Sequence, residues 1–378
     1  MENFVLSNPT VLHFGKNVIE DLADQIKQLG KKVLLIYGKG SVKKYGYYEK
    51  VTNKLREANI DFVEFAGIKP NPDNEVADDA VRFGVEQNVD VVLALGGGSV
   101  IDSAKVIAVS IPENLKTWDV MKGKKVPTKA LPIITILTVA ATGTEMNHFS
   151  VLQNNTTKEK IGTRNVMMYP KYSYLDPEFT YSIPKDYTAY GMVDIIAHSF
   201  ENFFGYGTSP LADRFAVSII KEVMNFAPLL LEDLRNYEYR ANMMLQATYA
   251  LNGTLAAGKT SGDWGVHSIG HILSLQYDTP HGASLSIAYP AWFKLMKNKI
   301  PERIKDLSLL LFNTEDIDLF ISKIEDFFKS INSPIRLQDT GINTDKKQEI
   351  INLLTKNEAS GFNYQFNEYE KLVDLMYL

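Results

Sequence analysis

The sequence predicts an α/β domain over residues 1–184, followed by an all-helical domain over residues 185–378. The 378 residues are 45% hydrophobic and 22% charged, which is typical of a globular chain of two or three domains. The first half alternates β-branched apolar runs with helical patterns, whereas helical periodicity continues almost unbroken from Lys185 onward. Alternating strands and helices indicate a parallel sheet with helices on both faces.

The α/β half contains four predicted strands separated by turns and helices. The first helix, whose apolar face runs from Val18 to Leu29, ends at Gly30, and further helices follow the first three strands. The predicted strands are Val33–Tyr37, Asp61–Phe65, Val89–Leu95 and Pro132–Leu137. The third strand is almost wholly apolar, as a strand covered on both faces should be. Residues 150–175 are predicted to form strands and turns without a helix.

The second half, which begins just after Pro184, has few β-branched runs. Its clearest helical patterns are Leu211–Leu231, Arg240–Ala257 and Asp316–Ile331. We expect a ligand to bind in the cleft between the two predicted domains.

Composition excludes several classes of protein. The chain has no cysteine, which rules out disulfide scaffolds, thiolate metal sites and cysteine nucleophiles. Its 40 basic and 45 acidic residues give a net charge of -5, which disfavours an electrostatic nucleic-acid or membrane-surface binder. The first residues, Met1–Phe4, lack the basic region that begins a secretory signal. The longest apolar stretch is Ala130–Thr142, which is too short to span a bilayer. We therefore predict a cytoplasmic protein with no membrane or nucleic-acid partner.

A run of three glycines, Gly96-Gly97-Gly98-Ser99, lies between the third strand and a predicted helix. Glycines let a ligand approach the backbone closely, and the start of a helix offers free N–H groups to an anion. The spacing is neither the Rossmann G-x-G-x-x-G pattern nor a P-loop. The run therefore predicts a phosphate-binding turn, and a plain tight turn is the alternative.

A second glycine turn, Gly38-Lys39-Gly40-Ser41, follows the first strand. In dinucleotide-binding folds an acidic residue near such a strand end binds the adenosine ribose 2′-hydroxyl and repels a 2′-phosphate. This turn has no acid but offers Lys39, Ser41, Lys43 and Lys44. The turn favours a phosphorylated dinucleotide such as NADP(H), with an ordinary surface turn as the alternative.

Histidines in the second half indicate a metal site. His198 follows Asp194 by four residues, so both side chains lie on one helix face, and His267, His271 and His281 fall within fifteen residues. Imidazoles with one carboxylate suit Zn(II) or Fe(II), whereas Mg(II) prefers oxygen ligands. Spacing alone leaves open whether His271 or His281 completes the set.

Along nearly its whole length the sequence resembles the iron-containing (group III) alcohol dehydrogenases, especially their NADPH-dependent butanol dehydrogenase and aldehyde reductase branch. Single pieces of this resemblance are weak, but their order and intervals together are specific. The matching segments are Pro70–Pro72, Gly96–Asp102, Ala140–Asn147, Asp194–Glu201, His267–His271 and Thr279–Gly282.

The resemblance implies a dehydroquinate-synthase-like fold, with an N-terminal dinucleotide-binding domain and a C-terminal helical domain that supplies the metal ligands. It maps those ligands onto Asp194, His198, His267 and His281, and places His271 beside the substrate, either as a proton-handling residue or as a residue that packs behind the ligands and shapes the pocket. Asp102 would help to hold the nicotinamide end of the cofactor. The residues that would line the cofactor groove are Gly38, Gly40, Asn71, Gly97, Gly98, Ser99, Asp102, Thr138, Asn147 and Lys160, with Ser41 added from the lysine-bearing turn.

The implied activity is hydride transfer between NADP(H) and a short-chain aldehyde or primary alcohol, of the butanal and butanol type, at one divalent ion. Many NAD-using relatives carry an aspartate where Gly38 stands here, which agrees with the NADP prediction from the turn itself. Trp264, Phe149, Phe204 and Tyr206 are the predicted apolar wall of the substrate pocket. A homodimer is expected. The alternatives are a glycerol-dehydrogenase-like polyol enzyme of the same fold and an inactive nucleotide-binding relative.

Overall fold

A computed structural model describes residues 1–378, which fall into two compact units. The α/β unit contains residues 7–183 and 235–248, and the helical unit contains residues 1–6, 184–234 and 249–378. The predicted boundary at 184/185 lies close to one of these divisions. Two segments differ from the sequence prediction. Residues 1–6 belong to the helical unit and residues 235–248 to the α/β unit, whereas the predicted boundary placed each of them in the opposite domain.

Eight strands make up the sheets of the α/β unit. They are β1 Val11–Phe14, β2 Lys32–Tyr37, β3 Asp61–Ala66, β4 Val91–Gly96, β5 Ile133–Leu137, β6 Phe149–Asn154, β7 Glu159–Arg164 and β8 Tyr172–Leu175. Six of them form one parallel sheet in the order β1-β8-β5-β4-β2-β3, and β6 pairs with β7 as an antiparallel hairpin. Every residue of β4 is buried, as its apolar sequence predicts for a central strand.

The helices of this unit follow the strands in sequence, as a parallel sheet requires. They are α1 Leu22–Leu29, α2 Ser41–Lys44, α3 Tyr47–Glu57, α4 Asn74–Glu86, α5 Gly98–Ser110 and α6 Thr117–Met121. Asp73 caps α4 by accepting a hydrogen bond from the Val76 N–H at 2.9 Å. Gly30 ends α1 in an extended conformation, and a side chain there would collide with Asp90, whose carboxylate accepts the N–H groups of Lys31 and Lys32.

The strand order creates a crevice for a ligand at one edge of the parallel sheet. From β2 the chain continues outward to β3, whereas from β4 it continues in the opposite direction to β5 and β8. The carboxyl ends of β2 and β4 are therefore neighbours at a topological switch point, where open α/β sheets bind their ligands. Both predicted glycine turns lie at this edge, because they follow β2 and β4 directly.

Helices α7 to α15 form the second half of the chain and belong to the helical unit, except that α9 belongs to the α/β unit up to residue 248. They are α7 Lys185–Phe203, α8 Pro210–Glu232, α9 Tyr237–Leu251, α10 Gly265–Tyr277, α11 His281–Met296, α12 Pro301–Phe312, α13 Ile317–Ser330, α14 Lys347–Lys356 and α15 Tyr369–Tyr377. Helices α7 and α11 are buried along most of their length and pack against each other. None of the helices combines the length and apolar character needed to cross a membrane.

The predicted helix Arg240–Ala257 is shorter in the structure, because α9 ends at Leu251. Gly253 adopts a left-handed conformation with φ 100°, and the chain then continues as the 3₁₀ turn Thr254–Ala256. Glycine accepts that conformation at no steric cost, so it stops the helix although the apolar pattern continues.

Candidate metal centre and nucleotide-binding turns

The four predicted ligands come together in the helical unit, from three helices. Asp194 and His198 lie one turn apart on α7, His267 lies in the first turn of α10, and His281 is the first residue of α11. The side chains of Asp194, His198 and His267 are almost fully buried, and His281 is partly exposed.

Asp194 Oδ1 lies at the centre of this cluster. Its distance is 3.6 Å to His198 Nε2, 3.7 Å to His267 Nε2 and 3.5 Å to His281 Nε2. These distances are too long for good hydrogen bonds, and both Asp194 Oδ1 and His267 Nε2 are buried without a hydrogen-bond partner. Ligand atoms about 2.1 Å from a four-coordinate metal lie about 3.4 Å apart, close to the distances from Asp194 to the three histidines. The ligand atoms of Asp194, His267 and His281 also lie within 4.8 Å of one another, so these three residues fit a metal ion, and His198 Nε2 beside Asp194 is the candidate fourth donor.

The electrostatics of the cluster favour a positive charge beside Asp194. Burial opposes ionisation of Asp194, but the interactions with His198, His281 and His267 outweigh it and hold the pKa of this carboxyl below its usual range. Burial lowers the pKa of His198 to about 4. Burial also opposes the charge on His267, yet the carboxylates of Asp194 and Glu201 raise the pKa of this imidazole to about 9. A divalent cation would supply the positive charge that these carboxylates attract.

The start of α11 is built for close contact with α7. Gly282 follows His281, and a Cβ atom at this glycine would collide with the backbone carbonyl of Tyr190. The missing side chain thus lets the first turn of α11, and His281 with it, approach the helix that carries Asp194.

His271 and Trp264 lie beside the cluster. The His271 ring is 6.5 Å from that of His267 and 5.7 Å from that of His281, measured between centroids. Trp264 packs edge-on against His267 at 5.3 Å and against His198 at 6.2 Å. Its backbone has φ 62°, a strained conformation for a bulky residue.

The other three residues of the predicted pocket wall, Phe149, Phe204 and Tyr206, differ in burial and in the unit to which they belong. Phe204 is buried, and its ring packs against Trp292 and Tyr364. Tyr206 is 56% exposed, and Phe149 begins strand β6 of the α/β unit. Within the helical unit, Trp264 is the member of this set that contacts the rings of predicted metal ligands.

Glu201 is a residue of this site that the sequence reasoning did not single out. Its Oε1 lies 2.8 Å from Nδ1 of His267, and its side chain is 2% exposed. A signal was present in the sequence, because Asp194, His198 and Glu201 occupy positions i, i+4 and i+7 of one helix and share a face.

In the α/β unit, the glycine run forms the turn from β4 into α5. Gly97 precedes the helix, no side chain caps its first turn, and none of the three glycines has a positive φ. Cβ atoms at Gly97 and Gly98 would lie 2.8 Å from Val139 and 2.7 Å from Thr142, so the glycines also make room for the loop after β5. Thr138 joins this loop to the turn by donating its N–H to the Gly96 carbonyl at 3.0 Å.

The turn after β2 is open to solvent. Lys39, Gly40 and Ser41 are exposed, and a Cβ atom at Gly38 would meet only the Ile68 carbonyl, at 3.4 Å. Lys43 is partly neutralised by Glu64 of β3, whose carboxylate lies 3.6 Å from its Nζ.

The remaining predicted cofactor residues fall into two groups. Asn71, in the left-handed region with φ 53°, accepts a hydrogen bond from Lys160 Nζ at 2.7 Å, so these two side chains lie together. Asn147 is buried, and it accepts hydrogen bonds from Lys105 and Phe149 and donates one to the Gly143 carbonyl.

Asp102, in the second turn of α5, is also held by its own chain. One oxygen accepts a hydrogen bond from the Thr144 hydroxyl at 2.6 Å and the other accepts one from the Val151 N–H at 2.9 Å. Burial raises the pKa of Asp102, although Lys105 and these two hydrogen bonds oppose the shift.

A doubly wound unit with a glycine turn at its switch point, joined in one chain to a helical unit with an aspartate–histidine cluster, is the arrangement expected of an enzyme that binds a nucleotide and a metal ion. Comparison with known proteins identifies the family. The model of the iron-containing alcohol dehydrogenase family matches residues 9–177, and that of the family's C-terminal domain matches residues 188–377.

Individual relatives and solved structures match over almost the whole chain. A probable NADH-dependent butanol dehydrogenase of Bacillus subtilis is 40% identical, covering 98% of this chain and 97% of the relative. The NADPH-dependent aldehyde reductase of Escherichia coli is 35% identical, and the match covers 99% of this chain and 98% of the relative. The crystal structure of an NADH-dependent butanol dehydrogenase A of Thermotoga maritima has a TM-score of 0.96 at 36% identity, covering 100% of this chain and 99% of that one.

The chain belongs to the iron-containing alcohol dehydrogenase family. This confirms the resemblance and the fold class predicted from the sequence. Membership implies metal-dependent oxidoreduction of alcohols and aldehydes with a nicotinamide cofactor. The relatives include both NADH- and NADPH-dependent enzymes.

Proposed function

We propose that this chain reduces short-chain aldehydes such as butanal to primary alcohols with NADPH, at one divalent ion held by Asp194, His198, His267 and His281. The observation that supports the proposal is the buried Asp194 Oδ1, which has no hydrogen-bond partner and lies 3.5–3.7 Å from three imidazole nitrogens. Three nitrogen donors and one oxygen donor suit Fe(II) or Zn(II).

When bound, the ion would polarise the carbonyl oxygen of the substrate and the nicotinamide would supply or accept the hydride. The chain's own residues would bind and orient these groups. Asp194, His198 and His267 would hold the ion from buried positions and His281 from a partly exposed one, and Trp264 covers the edges of His198 and His267 with an apolar surface. His271, next to His267 and His281, would deliver the proton that the new alcohol oxygen needs.

In the α/β unit, we propose that the glycine turn and the start of α5 bind the pyrophosphate through backbone N–H groups. Gly38, Gly40 and Ser41 would lie near the adenosine ribose, and Asn71 with Lys160 would line the same groove. Asp102 would orient the nicotinamide end. The hydrogen bonds and burial of Asn147 favour a supporting position behind the groove for that side chain.

The preference for NADPH rests on the turn after β2, which carries Lys39 and Ser41 and no acid. We expect Gly38→Asp to raise the KM for NADPH at least about tenfold, because a carboxylate would face the 2′-phosphate, while the KM for NADH changes less. Steady-state kinetics with both cofactors measures the change. Gly38→Asn, which adds the same bulk without charge, should leave the preference intact. Unchanged NADPH kinetics in Gly38→Asp would show that the ribose binds elsewhere.

A substrate and cofactor panel tests the proposed activity as a whole. The purified protein should contain one equivalent of Fe or Zn by elemental analysis, and reduce unbranched aldehydes of two to eight carbons faster with NADPH than with NADH. Asp194→Asn should lose both metal and activity. Turnover of glycerol in preference to butanol would favour a polyol dehydrogenase, and metal binding without any turnover would favour an inactive relative.

We further propose that the protein works in the cytoplasm as a homodimer. Light scattering of the purified chain should give twice its mass of 42.5 kDa. A monomer mass at assay concentrations would contradict the dimer.

A further inference from the structure

Glu201 holds both the backbone and the ring of His267. It lies on α7 two turns beyond Asp194, with its side chain buried. Its Oε1 accepts the backbone N–H of His267 at 3.0 Å and lies 2.8 Å from the ring Nδ1. One carboxylate oxygen thus fixes the position of His267 in two ways.

The backbone contact compensates for an unusual helix start. Trp264 stands at the N-cap of α10 with φ 62° and provides no side-chain cap. The first N–H groups of a helix have no partner within the helix, and His267 lies in this first turn. Glu201 accepts one of these N–H groups from the neighbouring helix, so it replaces the missing cap and joins α10 to α7.

The ring contact fixes the tautomer of His267. A metal-binding imidazole carries a single ring proton, and the contact with the Glu201 carboxylate favours that proton on Nδ1. The lone pair of this singly protonated ring then lies on Nε2, which faces Asp194 Oδ1 at 3.7 Å. This is the arrangement in which a carboxylate orients a metal-binding imidazole and increases its basicity.

Glu201 is itself anchored through Asp263. The Asp263 N–H donates to the backbone carbonyl of Glu201 at 2.9 Å. The Asp263 carboxylate accepts the N–H groups of Asn363 and Tyr364 at 3.0 and 2.7 Å. The strained turn that precedes α10 is therefore tied to α7 on one side and to the segment before α15 on the other.

We propose that Glu201 is a positioning residue that sets the metal affinity of the site through His267. The inference rests on the proposed function, because it requires that the cluster binds a metal. Loss of an outer partner of a metal-binding histidine typically weakens metal affinity about 10- to 100-fold. We expect a loss in this range for Glu201→Ala and a smaller loss for Glu201→Gln, whose amide oxygen can still accept both N–H groups.

The test measures the dissociation constant for Co(II) by competition with a chelator, together with the visible absorption spectrum of the Co(II)-loaded protein. The affinity should fall in the order wild type, Glu201→Gln, Glu201→Ala, and the Co(II) bands should shift most in Glu201→Ala, where His267 loses both contacts that orient it. Glu145→Gln, at a fully buried glutamate of the α/β unit whose carboxylate accepts from Thr248, is the matched control and should bind Co(II) like the wild type.

The outcomes separate the two proposals. If the wild type binds no Co(II) at the cluster, the proposed metal site fails. If the wild type binds Co(II) and a folded Glu201→Ala variant has the same affinity and the same bands, the positioning role is wrong. Glu201→Met keeps the test decisive if Glu201→Ala does not fold, because methionine preserves the size of the side chain but accepts neither N–H group, and an unchanged affinity there would also contradict the role.

Discussion

Replacing His267 with alanine is expected to abolish aldehyde reduction by removing one of the four proposed metal ligands. A metal ion that polarises a carbonyl contributes several kcal/mol to catalysis, so kcat/KM should fall by about a thousandfold or more. The variant should lack stoichiometric metal, because Asp194 Oδ1 would lose an imidazole now 3.7 Å away. The measurements are kcat/KM for butanal with NADPH and the metal content by elemental analysis.

His13→Ala is the matched control, because His13 belongs to the α/β unit, stacks on Tyr174 and takes no part in the cluster. It should keep both metal and activity. Near-normal turnover by a metal-stripped His267→Ala protein would contradict the proposed mechanism.

The largest effect on stability is expected for Lys105→Met. The Lys105 ammonium is fully buried and donates to the Thr144 hydroxyl at 2.7 Å, the Asn147 side-chain oxygen at 3.0 Å and the Phe149 carbonyl at 2.8 Å. It also balances the charge of Asp102. Methionine fills a similar volume but leaves these acceptors and the carboxylate without their cation, which costs about 3–5 kcal/mol in the free energy of unfolding.

Urea denaturation at pH 7 measures this cost. The control is Lys305→Met, which removes a partly exposed lysine paired with Glu302 on α12 and should change the free energy of unfolding by less than about 1 kcal/mol. A loss below about 1 kcal/mol for Lys105→Met would show that the buried network does not depend on the hydrogen bonds donated by Lys105.

The stability difference between the wild type and Lys105→Met is also expected to depend on pH. Burial lowers the pKa of Lys105 from 10.5 to about 8, although Asp102 and Glu145 oppose the shift. Between these two values the unfolded chain binds more protons at this residue than the folded chain does, so this lysine adds stability as the pH rises from 8 towards 10.5. The stability difference between wild type and Lys105→Met should therefore widen over this range. A difference that stays constant would contradict the lowered pKa.

Much of the fold could be predicted from the sequence, because burial on both faces makes the central strands nearly continuous apolar runs. The predicted third strand, Val89–Leu95, corresponds to β4 at Val91–Gly96. Short elements such as α6 at Thr117–Met121 have no such pattern and were missed. The grouping of residues 235–248 with the α/β unit is a matter of tertiary packing, which helical periodicity does not contain.

The site was predicted only in part from the residues themselves. The pairing of Asp194 with His198 follows from helix geometry, whereas the approach of α10 and α11 depends on packing, so His281 entered through the family resemblance. The role of Glu201 depends on where α10 begins relative to α7, and no local pattern gives that position. Asn147 entered as a cofactor residue through the family resemblance, and its side chain also has hydrogen-bond partners inside the fold.

The most direct test of the central claim is a crystal structure of the Fe- or Zn-loaded protein, with anomalous scattering recorded at the absorption edge of the metal. We predict one strong peak per chain, about 2.0–2.2 Å from Asp194 Oδ1 and from Nε2 of His198, His267 and His281. A peak coordinated by His271 in place of His281, or located away from Asp194, would contradict it.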